Sequence, residues 1–379
     1  MYMKYLLSVF SIALAAMAFT ACGGDDPEPN PDPEPNPPVE EDLSMYKKLD
    51  CKVRDLALIY QGGSHRIDWN EDDFGPYVTH KFITGEEEWL FDGYLFIEFT
   101  TGDGKWLAEG GSGVPGKRED WEWYLGRLFE KGKSLDALNS LIEKKKKTLG
   151  DPGFKHKVAL TCMLPIPDQT DWGEIDGVKV NFRRTSDRFK VAKWFIDELV
   201  KRYEAGNYNN LELYGIYMIS ESVDPIGESL CQQIAGHIHS KGLDFLWIPY
   251  FKAYGASDWK KWGFNIAYHQ PNHFFKPELP DSRLDEAIDF ARQHGMCLEF
   301  ECDENLVSEN TATAAQFRPR MVAYMDYFEK RGVWYDTPVA YYTGNHLLLD
   351  FVTHPNPMNV PIFDRLCRYV VNRRLAQQK

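Results

Sequence analysis

The sequence predicts an α/β protein: a single (β/α)8 barrel of the TIM type, with elaborated loops on the face where the strands end. Three observations carry this. Eight short apolar runs follow one another, helical patterns separate most of them, and acids, amides or imidazoles stand at the ends of several runs. The runs are 53–61, 94–99, 157–165, 211–221, 243–250, 264–270, 296–302 and 339–343. Near-continuous apolar character is what a parallel sheet covered on both faces requires. A doubly wound open sheet is the competing topology. The first run, however, leads into Gln61-Gly62-Gly63-Ser64-His65, which does not make the G-x-G-x-x-G turn such a sheet usually carries.

Each connection has its own pattern. Residues 120–147 read as one long helix with a charged end, and 187–204 place Phe189, Ala192, Ile196, Leu199 and Tyr203 at helical spacing. Residues 225–241 carry Ile226, Leu230, Ile234 and Ile238, with Gly242 as the stop signal. The segment 282–294 opens on Ser282 and Asp285, the spacing of a capping box, and ends at Gly295. Helices at 311–331 and 359–376 complete the set, and 257–261 is a short helical piece between the fifth and sixth runs. Residues 62–90 show no clean helix and read as an elaborated loop.

Ahead of this body, residues 45–379, stand two segments of different kind. Lys4, the apolar stretch from Leu6 to Phe19 and the small residues Thr20-Ala21 before Cys22 make residues 1–22 a targeting segment, too short in its apolar part for a span of about 20 residues. It resembles a bacterial lipoprotein signal, which implies cleavage before Cys22 and a lipid anchor on that cysteine. Residues 23–44 contain many prolines and acids and form an extended spacer that cannot build a core. Acids directly after the cysteine resemble the surface-export signal of Bacteroidetes lipoproteins, which implies an outer-membrane location on the cell surface or the periplasmic face.

The charge balance is 43 basic against 57 acidic residues, and eight of the acids lie between Gly23 and Asp42. The body is therefore mildly acidic, which speaks against nucleic acid as a partner. A monomer acting on a neutral ligand is expected. Cys51, Cys162, Cys231, Cys297, Cys302 and Cys367 remain beside Cys22, and four of them sit inside apolar runs, as buried thiols do. Cys297-x4-Cys302 has no matching pair elsewhere, His269-x3-His273 has i,i+4 spacing but falls on a loop around Pro271 where helical metal geometry does not apply, and no motif asks for a cofactor. Asp68-x-Asn70-x-Asp72 echoes a calcium loop, but Thr79 stands where the closing Glu belongs.

A barrel builds its site from strand ends. Those ends offer Gln61, Glu98, Tyr250, His269, Gln270, Asn272, Tyr342 and His346 as ligand-binding candidates. Glu221 closes the fourth run, and Glu299 and Glu301 close the seventh. Alternation puts Glu299 and Glu301 on one face and Leu298, Phe300 and Cys302 on the other. A face carrying two carboxylates makes sense only toward a polar cleft. Tryptophans at 69, 106, 121, 123, 172, 259 and 262 are expected in the loops, some as platforms for sugar rings and at least half as structural lids.

Acids ending the fourth and seventh strands resemble the largest clan of barrel glycoside hydrolases. The resemblance implies Glu221 as acid/base and Glu301 as nucleophile, with Glu299, one layer deeper, as the alternative nucleophile or a partner that raises its neighbour's pKa. The clan carries Asn before its acid/base where this chain has Ser220. The body is also similar to a family of exported bacterial proteins, domain-of-unknown-function family 4855. That similarity rests on the segment from Trp262 to Phe275 (with Gln270-Pro271-Asn272 its most specific piece), on Gly215 to Glu221, and on Glu299-x-Glu301-x-Asp303. It implies an exported barrel of carbohydrate function. Hydrolysis of a poly- or oligosaccharide is the leading expectation, and a non-catalytic carbohydrate-binding barrel is the alternative.

Overall fold

A computed structural model describes residues 45–108 and 113–377. Cys22, the targeting segment and the spacer lie outside these residues. Eight parallel strands close into a barrel: β1 (Asp55–Tyr60), β2 (Gly93–Ile97), β3 (His156–Cys162), β4 (Leu211–Met218), β5 (Asp244–Trp247), β6 (Ile266–His269), β7 (Cys297–Cys302) and β8 (Val339–Thr343). Each strand pairs with its neighbours in sequence, and β1 closes the ring by pairing Asp55 with Val339 and Ala57 with Tyr341. The predicted barrel is therefore the observed one. Most of the observed strands are shorter than the apolar runs, since the last residues of a run leave the ladder to form the rim.

The surrounding helices are α1 (Glu71–Val78), α2 (Arg118–Leu128), α3 (Ser134–Leu149), α4 (Thr185–Gly206), α5 (Glu228–Ser240), α6 (Ser282–His294), α7 (Thr311–Lys330) and α8 (Val360–Gln377). Four of these correct the sequence reading. Helix α1 lies inside the stretch expected to be loop. Asn70 caps it, accepting from Asp72 N at 2.9 Å, and Asp73 accepts from Asn70 N at 2.9 Å. Of the calcium-like triplet, Asn70 is thus a helix cap and Asp68 pairs with Arg127, and Gly75-Pro76 had hidden the helical pattern. The expected single helix over 120–147 is two, α2 and α3, because Gly132 turns the chain in the left-handed region at φ 76°. Helix α6 has no capping box: Asp281 holds the N-cap position without a cap bond, and its carboxylate accepts instead from His273 Nε2 at 2.9 Å.

Alternation along each strand divides the core. Phe300 of β7 points outward into an aromatic layer with Tyr324, Phe328, Trp334 and Tyr341, at centroid distances of 5.3–6.1 Å. Two glycines allow close approach: a Cβ at Gly215 would lie 2.3 Å from Leu246 Cδ1, and one at Gly93 would lie 2.3 Å from Val53 Cγ1. The six body cysteines are buried free thiols. No helix among the described residues is long and apolar enough to cross a membrane.

The closed end of the barrel is locked by a buried ion pair. Arg373 of α8 meets Asp55 of β1 at 3.1 Å and donates to Thr337 O at 2.6 Å, while Tyr341 of β8 donates to Asp55 at 2.6 Å. Burial raises the Asp55 pKa, and the Arg373 charge opposes that rise. Removing one member of such a pair leaves the other uncompensated. Arg373→Met is expected to lower stability by about 3–5 kcal/mol in urea unfolding. Adding Asp55→Asn should recover part of that loss in a double-mutant cycle.

Candidate active site

At the strand-end mouth of the barrel lies a cavity of about 310 Å³. Residues in phase along the strands form its wall: Leu58 and Tyr60 from β1, Ile97 from β2 with Phe99 just past its end, Tyr217 from β4, Glu299 and Glu301 from β7, and Tyr342 from β8. Glu221, Ile248, Gln270, Asn272 and Phe275 complete it from the loops. The barrel therefore brings Glu221, Glu299 and Glu301 to one space. Glu221 stands three residues past the end of β4 and serves no helix cap, since α5 begins only at Glu228 behind Gly227.

Glu301 is 1 % exposed and is met by four donors. Asn272 N donates at 3.3 Å, Asn272 Nδ2 at 3.4 Å and His273 N at 3.2 Å, and the Tyr324 hydroxyl donates from α7. The loop after β6 is folded to deliver these groups. Asn272 adopts φ 48°, a left-handed conformation that Asn tolerates better than most residues. Its Oδ1 accepts from Phe251 N at 2.6 Å, and its Nδ2 also donates to Gln270 Oε1 at 2.8 Å. Gln270 Nε2 donates to Ile248 O at 3.0 Å. Both amides line the cavity, yet their bonds hold the loop. Arg320, one turn before Tyr324 on α7, clamps the same loop from behind by donating to the carbonyls of His273, Phe274, Lys276 and Leu279.

The three carboxyls hold their protons unusually well. Burial pushes Glu301 up to about 7, against the pull of Tyr324 and the backbone donors. Burial raises Glu299 well above the ordinary range, and the neighbouring Glu301 and Glu221 charges raise it further. Glu221 keeps accessible surface because it faces the cavity mouth, but the protein around it desolvates the carboxyl and raises its pKa, with Gln270 opposing. Glu299 and Glu301 influence each other's charge, so their titration belongs to the pair.

The remaining candidates from the sequence are not among the residues lining the cavity. Gln61 is buried and donates to Arg127 O at 3.2 Å. Glu98 is buried, accepting from Gly63 N at 2.9 Å and pairing with Arg66 at 2.9 Å. His269 packs on Phe290 at 4.6 Å between ring centroids, and Tyr250 is an exposed residue of the rim. His346 pairs with Asp350 at 3.1 Å, and with Glu304 they form a group whose ligand atoms lie within 4.8 Å of one another. The tryptophans at 69, 121, 172, 259 and 262 are buried packing, and no tryptophan lines the cavity. Its aromatic faces are Tyr60, Phe99, Tyr217, Phe275 and Tyr342. Of these, Tyr60 and Tyr217 were legible as strand positions in phase with the acids, whereas no sequence signal marks Arg320 or Tyr324.

Raised carboxyl pKa values carry a stability cost with a definite sign. Glu299 and Glu301 bind protons more tightly folded than unfolded, so their contribution is largest below the ordinary value of 4.5 and falls as pH rises. Glu299→Gln should therefore stabilise the protein at neutral pH by about 0.5–2 kcal/mol. It should also flatten the decline in melting temperature between mildly acidic and neutral pH, as followed by calorimetry.

Comparison with known proteins supplies a family and a fold. No functionally curated protein matches the chain. Among solved structures, a family GH18 chitinase catalytic domain from the fern Peteris ryukyuensis is similar at 11% identity and a TM-score of 0.40, covering 83% of this chain and 99% of the other. A GH113 beta-1,4-mannanase is similar at 10% identity and 0.42, covering 85% and 99%. A tryptophan synthase alpha-subunit from Pyrococcus furiosus is similar at 8% identity and 0.37, covering 84% and 98%. These likenesses concern the barrel, which the strand topology establishes independently, and say nothing of chemistry. Residues 55–368 match the family described as Domain of unknown function (DUF4855), and the chain belongs to that family.

Proposed function

We propose that this protein hydrolyses a glycosidic bond in a poly- or oligosaccharide, with Glu221 as general acid/base and Glu301 as nucleophile or as the base that activates water. One observation carries the reading: carboxyls from the ends of β4 and β7 share a single cavity walled by aromatic faces. Glycoside hydrolysis needs a proton donor to the leaving oxygen and an ionised carboxylate on the other side of the bond. Glu221, raised by desolvation and open at the mouth, suits the first role. Glu301 suits the second, because four donors orient it and favour its ionised form. Tyr60, Phe275 and Tyr342 offer ring faces on which a sugar can lie. The proposal extends to location: a lipid anchor at Cys22 on the outer membrane would present this mouth to extracellular or periplasmic glycans.

A second reading, glycan binding without turnover, is favoured by Ser220. Its hydroxyl donates to Ser222 O at 2.9 Å, so the position before Glu221 brings no amide to the cavity.

A panel of polysaccharides, assayed for released reducing ends, separates the two. The hydrolase reading expects turnover by the wild type and a loss of about 10²–10⁴-fold in Glu221→Gln. Binding with no turnover in the wild type would establish the second reading. The anomeric form of the first product, read by NMR, assigns Glu301 as nucleophile if configuration is retained and as base if inverted. Tyr324→Phe removes a donor that favours ionised Glu301, so the acidic limb of the kcat/KM profile should move to higher pH.

A further inference from the structure

The cavity is short of positive charge. Its lining holds Glu221, Glu299 and Glu301 and no Lys, Arg or His. The Arg66 guanidinium lies 4.7 Å over the Tyr60 ring but is paired with Glu98 at 2.9 Å, and Arg320 behind the loop is taken up by four carbonyls. Two of the three acids are accounted for. Glu301 has its four donors, and Glu221 faces the open mouth with Gln270 beside it.

Glu299 has neither. It is 3 % exposed, lies one strand layer deeper in the cavity wall, and has no hydrogen-bond partner among the described residues. Its carboxyl oxygens are not sealed in protein but open on the cavity, where a ligand can reach them. The proposed reaction uses two carboxyls and leaves this one idle. A shared metal ion does not explain it either. Among the described residues, the one group with ligand atoms within 4.8 Å of each other is Glu304, His346 and Asp350, none of which lines the cavity.

We propose that a cation arrives with the ligand: the cavity takes a sugar unit bearing a protonated amine, which Glu299 binds, and rejects glycans bearing carboxylate or sulfate groups. The inference rests on the reading of the cavity as a glycan site. An ammonium is a compact charge with three donors, enough to reach Glu299 and a second acid. The rings of Tyr217 and Tyr342 beside it suit a cation, as Tyr60 already does for Arg66. An anionic sugar would meet three acids with no cation to receive it. A neutral hydroxyl would leave Glu299 holding its proton, whereas an ammonium lets it release that proton and pair with the cation.

The test is calorimetric titration of the full chain carrying Glu221→Gln, which prevents turnover. The probes are oligosaccharides of glucosamine and of galactosamine, their N-acetylated counterparts, and oligogalacturonate. The expected result is about ten-fold or tighter binding of an amine form over its N-acetylated counterpart, with no binding of the uronate. Adding Glu299→Gln should erase that preference. Equal or tighter binding of the N-acetylated or uronate form overturns the inference, as does an amine preference that survives Glu299→Gln. Absence of binding by every probe, together with silence across the polysaccharide panel, would sink the glycan reading and this inference with it. Binding without a charge order sinks the inference alone.

Discussion

Keeping the Glu301 carboxylate buried is the constraint around which the mouth of this barrel is arranged. An ionised carboxyl cut off from water must be given donors or it takes up a proton. The loop after β6 supplies two backbone N–H groups and an amide, and α7 supplies a phenol. The left-handed turn at Asn272, the Gln270–Asn272 bond and the four-carbonyl grip of Arg320 all serve to keep those donors in place. A rim segment that would otherwise be a free loop is thereby built into the frame. The donors do not fully offset burial, which is why Glu301 stays near 7.

The two ends of the barrel treat buried charge in opposite ways. At the closed end Asp55 has Arg373 and Tyr341, a pair that ties the last helix to the first and last strands. At the open end three acids share a cavity whose lining contains no cation. The first arrangement holds the fold, and the second is strain that a packed core would not retain without a use for it.

Much of this was legible in the chain because it follows from short-range rules. Period-two alternation put Glu299 and Glu301 on one face, and the order of runs put Glu221 fourth and the pair seventh. What local rules missed has identifiable causes. Gly75-Pro76 masked helix α1, and Gly132 split an apparently continuous helix. Tryptophan content suggested ring platforms, but large indoles are also the residues that best fill the gaps between helices and strands, and here most do so. His269 looked like a rim imidazole and is instead packed on Phe290, since its strand position places it among the helices rather than in the cavity.

Repeating apolar strands, helical spacing between them and acids at two strand ends were sufficient to specify an eight-stranded barrel and to name its carboxyls. Those properties depend on neighbours within a few residues. Which groups meet those carboxyls depends on contacts between residues far apart in the chain, such as Tyr324 with Glu301 and Arg320 with the loop after β6. No periodicity encodes such contacts. Only the closed barrel decided that Glu301 is cradled and Glu299 left without a partner, because that difference is made by the loop and helix folded over one acid and not the other.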